Sequence, residues 1–177
     1  MRRLNTQVSE QELARLLALR GDEDVADLGS GTGFYTDRIA TLTTGTVYAM
    51  DLQPEMHDLY RERGLPPNVR LVLGDVNDLP LPVASVDVAC SIASFHETGG
   101  SVGLPKLLTI LRPRGGLVVI DWRRDPESWE SGPPADLRFT KEEAVHKLAP
   151  FFDTVHAEDL GRFMFAFVGR LDSPVTR

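Results

Sequence analysis

Val25-Ala-Asp27-Leu-Gly29-Ser-Gly31-Thr-Gly33-Phe-Tyr-Thr36 runs from an apolar strand through a glycine-rich turn into a helix. Glycines on three alternate positions admit backbone conformations closed to other residues, and they let a ligand approach the main chain without meeting a Cβ. The helix start behind them offers unpaired N–H groups and a positive dipole end to an anion or an electron-rich group. A dinucleotide fingerprint needs its third glycine three residues after the second, and this chain has Phe34 there. The pattern is therefore G-x-G-x-G, with Asp27 two positions before the first glycine. A buried acid at a strand end needs a reason, which favours a ligand-bearing turn over a bare surface loop.

Strands and helices alternate outward from this turn. Ser9-Glu10-Gln11-Glu12 is a capping-box pattern, and Leu13, Leu16 and Leu17 continue it at helical spacing, so a short helix precedes a first strand over about residues 23–28. Tyr35, Ile39 and Leu42 mark the inner face of the helix after the turn, and a second strand over 46–50 stops at Asp51-Leu52. An acid there either accepts hydrogen bonds from both hydroxyls of a ribose lying over the glycine turn or caps the helix that starts near Pro54. That helix ends near Gly64, and a third strand over 69–73 leads into Gly74-Asp75-Val76. A fourth enters Ser91 to Glu97, opposite the glycine turn. Leu104, Leu107, Leu108 and Leu111 predict one face of a buried helix. After a turn over 112–116 comes an apolar fifth strand over 117–120, ending at Asp121-Trp122-Arg123, and then a long polar loop over 124–135. Thr140 caps a helix carrying Ala144, Val145 and Leu148, which Pro150 stops. Residues 151–160 and 162–170 close the chain as two strands around Gly161, with no helix between them. The expected fold is α/β, a single Rossmann-like, doubly wound, seven-stranded sheet that is mostly parallel and ends in a C-terminal antiparallel β-hairpin.

At 177 residues the chain fits one domain. We divide it into an N-terminal helix (1–22), the main domain (23–170) and a tail (171–177). The stretch ahead of Asp27 is too short for a separate lid domain. Composition is that of a globular protein, 42% hydrophobic and 25% charged, and no apolar run reaches membrane-spanning length. The N-terminus lacks an apolar signal core, so the cytoplasm is the expected compartment. A net charge of −7 disfavours nucleic acid and anionic lipid as partners. The single cysteine, Cys90, reads as inert core. His57, His146 and His156 read as surface residues without metal-ligand spacing, so no metal is expected.

With Asp27, Asp51 and Asp75-Val76 in this order and the closing hairpin, residues 23–170 resemble the class I S-adenosylmethionine-dependent methyltransferases. The shape is similar to small bacterial and archaeal methyltransferase-domain proteins of the type 11 kind, whose fifth strand ends in Asp-Trp-basic before a Gly-Pro-Pro loop and an Arg. Here these are Asp121-Trp122-Arg123, Gly132-Pro133-Pro134 and Arg138. The resemblance implies S-adenosylmethionine as cofactor, S-adenosylhomocysteine as product, and a last strand inserted antiparallel between the fifth and the sixth. It implies that Asp27 and the backbone of Gly29, Ser30, Gly31 and Gly33 hold the methionine part, that Asp51 with Leu52 holds the ribose, and that Asp75 and Val76 hold the adenine. Ser91 would face the reactive methyl. Tyr35 is assigned to the same site, where it lines the methyl pocket or packs in the core; Trp122 carries the same two readings.

The implied chemistry is in-line attack on a sulfonium methyl, in which alignment and exclusion of water matter most. An acceptor that must lose a proton also needs a base, and His96 is the candidate, with Glu97 second. Arg123, Arg124 and Arg138 suggest recognition of an acidic group on a small or medium-sized acceptor. A second copy of the chain, as a homodimer, is the other partner considered. Two rival readings are a non-catalytic S-adenosylmethionine-binding subunit and a nucleotide-cofactor oxidoreductase, the latter disfavoured by Phe34 and the closing hairpin.

Overall fold

The structure, a computed structural model, describes residues 8–125 and 132–172. The outermost termini and the middle of the polar loop expected after Arg124 lie outside these residues. Seven strands make one sheet: β1 (Val25–Leu28), β2 (Val47–Asp51), β3 (Val69–Leu73), β4 (Val86–Ile92), β5 (Leu111–Trp122), β6 (Thr154–Leu160) and β7 (Met164–Arg170). Their order is β3-β2-β1-β4-β5-β7-β6. The first five pair in parallel, while β7 runs antiparallel between β5 and β6. Hairpin and insertion are as expected.

Period-two alternation puts side chains from each strand on both faces, and each face is covered. Val25, Val47, Ala49, Val118 and Ile120 pack with α1 (Glu10–Leu17), α2 (Phe34–Leu42) and α3 (Pro54–Arg63) through Leu13, Leu17, Ile39 and Tyr60. Ala26, Leu28, Leu117, Val119 and Phe167 pack on the other face with α4 (Leu104–Ile110) and α5 (Lys141–Leu148). Capping boxes start α1 at Ser9 with Glu12 and α5 at Thr140 with Glu143. The C-terminal end of α1 is tied to the sheet by Arg170, whose Nη2 donates to the carbonyls of Leu17 at 3.0 Å and Leu16 at 3.4 Å.

At the end of the sheet where β1 and β4 begin, Arg112 donates to Asp24 at 2.8 Å and to Asp87 at 2.7 Å. Asp24 also accepts the Thr46 N–H at 2.7 Å, and Asp87 accepts the Asp24 N–H at 2.9 Å. One guanidinium thereby joins the entries of β1, β2 and β4.

Three expectations change. Residues 112–116, read as a turn, lie inside β5, where the pairing slips between Val86 opposite Leu111 and Val88 opposite Gly116. Leu111, read as the last turn of α4, is the first residue of that strand. His57, read as a surface residue, is buried at 2% exposure beside Tyr60 on the inner face of α3, and burial lowers its pKa. Among the described residues no helix is long and apolar enough to cross a membrane.

Replacing Arg170 by Met removes the donor to the α1 carbonyls, and stability should fall by about 1–2 kcal/mol. Urea unfolding measures the loss, and hydrogen exchange should quicken first in the last turn of α1.

Candidate active site

The glycine turn leaves β1 through backbone that only glycine takes easily, with φ of +83° at Gly29, +55° at Gly31 and +87° at Gly33. Two of these positions also have no room for a side chain. A Cβ on Gly29 would lie 2.6 Å from Ser94 Cβ, and one on Gly33 would lie 2.1 Å from the Tyr60 ring. At Gly31 a Cβ would meet nothing within 4 Å. The turn is thus clasped from two sides and open at its tip. The Met50 carbonyl accepts the N–H groups of Gly29 and Ser30 at 2.9 and 2.7 Å, and Asp51 Oδ2 accepts the Gly31 N–H at 2.8 Å. Behind it the Tyr60 hydroxyl donates to Asp37 at 2.6 Å, and Arg63 reaches both Asp37 at 2.5 Å and the Thr32 carbonyl at 2.7 Å.

Beside the turn opens a cavity of about 240 Å³. One wall is Leu28 and Gly29, a second is Asp51, Leu52 and Gln53 at the end of β2, and a third is Asp75, Val76 and Asn77 after β3. Ser94, Glu97, Thr98 and Val102 close the far side. Asp51 uses one lone pair of Oδ1 on the Gln53 N–H at 2.9 Å, and it keeps acceptor capacity on both oxygens. Asp75 Oδ1 takes the Asn77 N–H at 2.8 Å and its side-chain amide at 3.0 Å. Leu52 is 66% exposed and presents an apolar surface on the cavity wall.

The other expected site residues do not line the cavity. Asp27 is 2% exposed, with Thr36 donating to its Oδ2 at 2.6 Å and the Cys90 thiol 3.8 Å from Oδ1. Burial pushes its pKa up to about 6, against the Thr36 and Cys90 hydrogen bonds and aided by the charge of Asp51. The Ser30 hydroxyl is buried without a hydrogen-bond partner. Tyr35 is half-buried on α2 with its ring edge-on to Phe34, and Trp122 packs in the core with Phe163 and Arg138. Ser91 is buried 2.8 Å from Ser94 Oγ. Ser94 gives its own proton to the Leu28 carbonyl at 2.6 Å, so Ser91 donates to Ser94 and holds it against Gly29.

His96 sits in a short 3-10 turn (Phe95–Thr98) and is buried. Asp121, at the end of β5, accepts its backbone N–H at 2.7 Å and lies 2.9 and 3.0 Å from Nδ1. Burial works to lower the His96 pKa, but the Asp121 hydrogen bond and charge, with Glu97, outweigh it and raise the pKa. Sequence reasoning missed this partnership, whose one signal was a fourth acid at the end of a parallel strand.

The arginines read as acceptor ligands have other work. Arg123 pairs with Asp159 at 3.2 Å and Asp125 at 3.1 Å, and Arg124 pairs with Glu143. Arg138 is 2% exposed, lies over the Trp122 ring and donates to the Pro133 carbonyl at 2.8 Å. Guanidinium groups here fasten the polar loop to the hairpin and to α5. Among the described residues the cavity is lined by three carboxylates, Asp51, Asp75 and Glu97, and by no cation. His146 and His156 are exposed, and no cluster of three or more metal-ligating side chains occurs among the described residues.

Residues 25–115 match the family described as a methyltransferase domain. An uncharacterised methyltransferase-like protein of Schizosaccharomyces pombe is 32% identical over 106 residues, 59% of this chain and 41% of that one. An uncharacterised methyltransferase of Mycobacterium bovis is 37% identical over 101 residues, 57% of this chain and 40% of that one. The matched region thus spans about two-fifths of these relatives. The crystal structure of an S-adenosylmethionine-dependent methyltransferase from Aquifex aeolicus superposes with a TM-score of 0.83 at 26% identity, covering 93% of this chain and 90% of that one. Sheet order, glycine turn and strand-end acids define the class I methyltransferase fold. The chain belongs to the methyltransferase domain family, and its Aquifex aeolicus neighbour is a protein that depends on S-adenosylmethionine. The residues present fit that group: a turn tip with space for a ligand at Gly31, a carboxylate able to take two hydroxyls, and an apolar wall at Leu52.

Gly33→Ala should cost about 2–5 kcal/mol in urea unfolding, from left-handed strain and collision with Tyr60. Gly31→Ala should cost only about 1–2 kcal/mol, since strain alone remains. Asp27 gives a pH signature. Its folded pKa lies above its unfolded value, so its contribution to stability is full below about pH 4 and is lost as pH rises to about 6. In Asp27→Asn that decline, about 3 kcal/mol for wild type, should vanish from unfolding midpoints measured between pH 4 and 7.

Proposed function

We propose that this protein transfers a methyl group from S-adenosylmethionine to a small or medium-sized acceptor whose attacking atom carries a proton. One observation supports the reading above the others: strand ends 20 to 50 residues apart in sequence deliver Gly29, Asp51, Leu52, Asp75 and Val76 to one cavity, with Glu97 and the His96 turn facing them. The cofactor, when bound, supplies a methyl group on a sulfonium centre that leaves as a neutral thioether. Asp51 accepts the two ribose hydroxyls, Leu52 and Val76 sandwich the adenine, and Asp75 receives its amino group. The glycine turn presents backbone rather than side chains to the methionine part. Ser94 and Glu97 form the acceptor side, and His96 takes the proton that the attacking atom loses.

An acceptor carboxylate, suggested by the arginines in the sequence, is replaced here by a neutral or amine-bearing group, because carboxylates line the cavity and the arginines are engaged elsewhere. The net charge of −7 supports a small molecule over nucleic acid. All residues assigned to the site fall within 23–170, in keeping with one methyltransferase unit.

Isothermal titration with S-adenosylhomocysteine tests the cofactor assignments. Wild type should bind in the micromolar range, and Asp51→Ala should weaken binding by about 10- to 100-fold, the value of one charge-assisted ribose contact. A folded wild type that leaves S-adenosylhomocysteine unbound would end this proposal.

A further inference from the structure

The end of β5 meets the turn after β4 because Ile92 stands opposite Ile120 in the parallel ladder. This places Asp121, 1% exposed, under the His96 turn. Its carboxylate gathers three donors: the His96 N–H at 2.7 Å, the Trp122 N–H at 2.7 Å and the imidazole Nδ1 at 2.9 Å. An ionised carboxylate only accepts hydrogen bonds, so the ring nitrogen facing it must carry the hydrogen. In the neutral ring the lone pair is then on Nε2. That atom lies 3.9 Å from the carboxylate of Glu97, which lines the cavity.

We infer that Asp121 is a positioning residue, which fixes His96 in the Nδ1–H tautomer so that Nε2, the ring atom nearest the cavity-lining Glu97 carboxylate, is the proton acceptor. The inference rests on the methyltransferase reading above and deepens it, since a base set in this way serves an acceptor with an O–H or N–H nucleophile. In the step, the nucleophile's lone pair forms the new bond to the methyl carbon, the carbon–sulfur bond breaks with its electrons going to sulfur, and the displaced proton passes to Nε2. Asp121 keeps its hydrogen bond from Nδ1–H and stabilises the imidazolium.

The charged groups facing the ring are Asp121 from β5, Glu97 from its own turn and Arg138 from the segment before α5. The two acids favour the protonated ring, and Arg138 opposes them. His96 is therefore a base only once pH has risen through its raised pKa. Asparagine at 121 reverses both effects: the ring loses its anionic partner, and the amide NH₂ can donate to Nδ1 and hold the hydrogen on Nε2.

Long-range ¹H–¹⁵N spectra of protein labelled in its imidazole nitrogens, recorded from pH 5 to 9 and assigned with His96→Gln, read the tautomer directly. Wild type should titrate above the ordinary histidine pKa of about 6.5 and emerge as the Nδ1–H form. Asp121→Asn should titrate about one pH unit or more lower and shift toward Nε2–H, whereas Glu97→Gln should keep the wild-type tautomer. A wild-type ring found as Nε2–H overturns the inference, as does a folded Asp121→Asn with an unchanged tautomer and titration. If Asp121→Asn does not fold, the wild-type tautomer decides by itself. S-adenosylhomocysteine titration on the same samples separates the two levels: wild type that binds it with the wrong tautomer sinks this inference alone, and wild type that does not bind it sinks the methyltransferase proposal.

Discussion

The whole arrangement depends on the absence of two β-carbons. With hydrogen atoms at the Cα of Gly29 and Gly33, β1 can end against Ser94 on one side and α2 can begin against the Tyr60 ring on the other. That double contact sets the angle between strand and helix, and with it the direction in which the turn's tip and its N–H groups face. The Met50 carbonyl and the Asp51 carboxylate then take the N–H groups of Gly29, Ser30 and Gly31, binding the end of β2 to the turn. Asp51 consequently has one duty to the loop and, in the proposed function, a second to the ligand above it. The second duty is cheap because the first has already immobilised the carboxylate.

Behind the turn, polar groups do what a purely apolar core could not. Asp27 ties the end of β1 to the first turn of α2 through Thr36, at the cost of a buried carboxyl whose pKa rises to about 6. Tyr60, Asp37 and Arg63 form a second brace that ends on the Thr32 carbonyl. Ser91 serves in the same way through Ser94. Asp27 and Ser91, both assigned to the site from the sequence, thus support the turn from beneath.

Local signals made most of the fold legible. The bounds of β3 and the capping boxes of α1 and α5 are readable because each depends on residues within a few positions of one another. The bulge in β5 was not, since the slip is set by β4, a strand some 25 residues earlier. His57 misled for a similar reason: a lone polar residue three before Tyr60 gives no local sign of which face meets the sheet. The strand-end acids were legible as ligand candidates because parallel strands in a doubly wound sheet end at a common edge. The fates of Arg123, Arg124 and Arg138 were not legible, because Asp159, Glu143 and the Trp122 ring, which they meet, come from other elements. Asp121 and His96 stand 25 residues apart and meet only through strand pairing.

The Arg112 bridge to Asp24 and Asp87 lies at the opposite end of the strands from every loop that touches the cavity. Structural fastening and ligand handling are therefore physically segregated along the length of the sheet. Lineages of this architecture can rewrite the loops on one rim, and with them the chemistry received there, while the far rim keeps the strands in register. The scaffold behaves as a socket whose fittings are interchangeable, so sequence kinship in the first four strands carries information about the family and little about the molecule received at the rim.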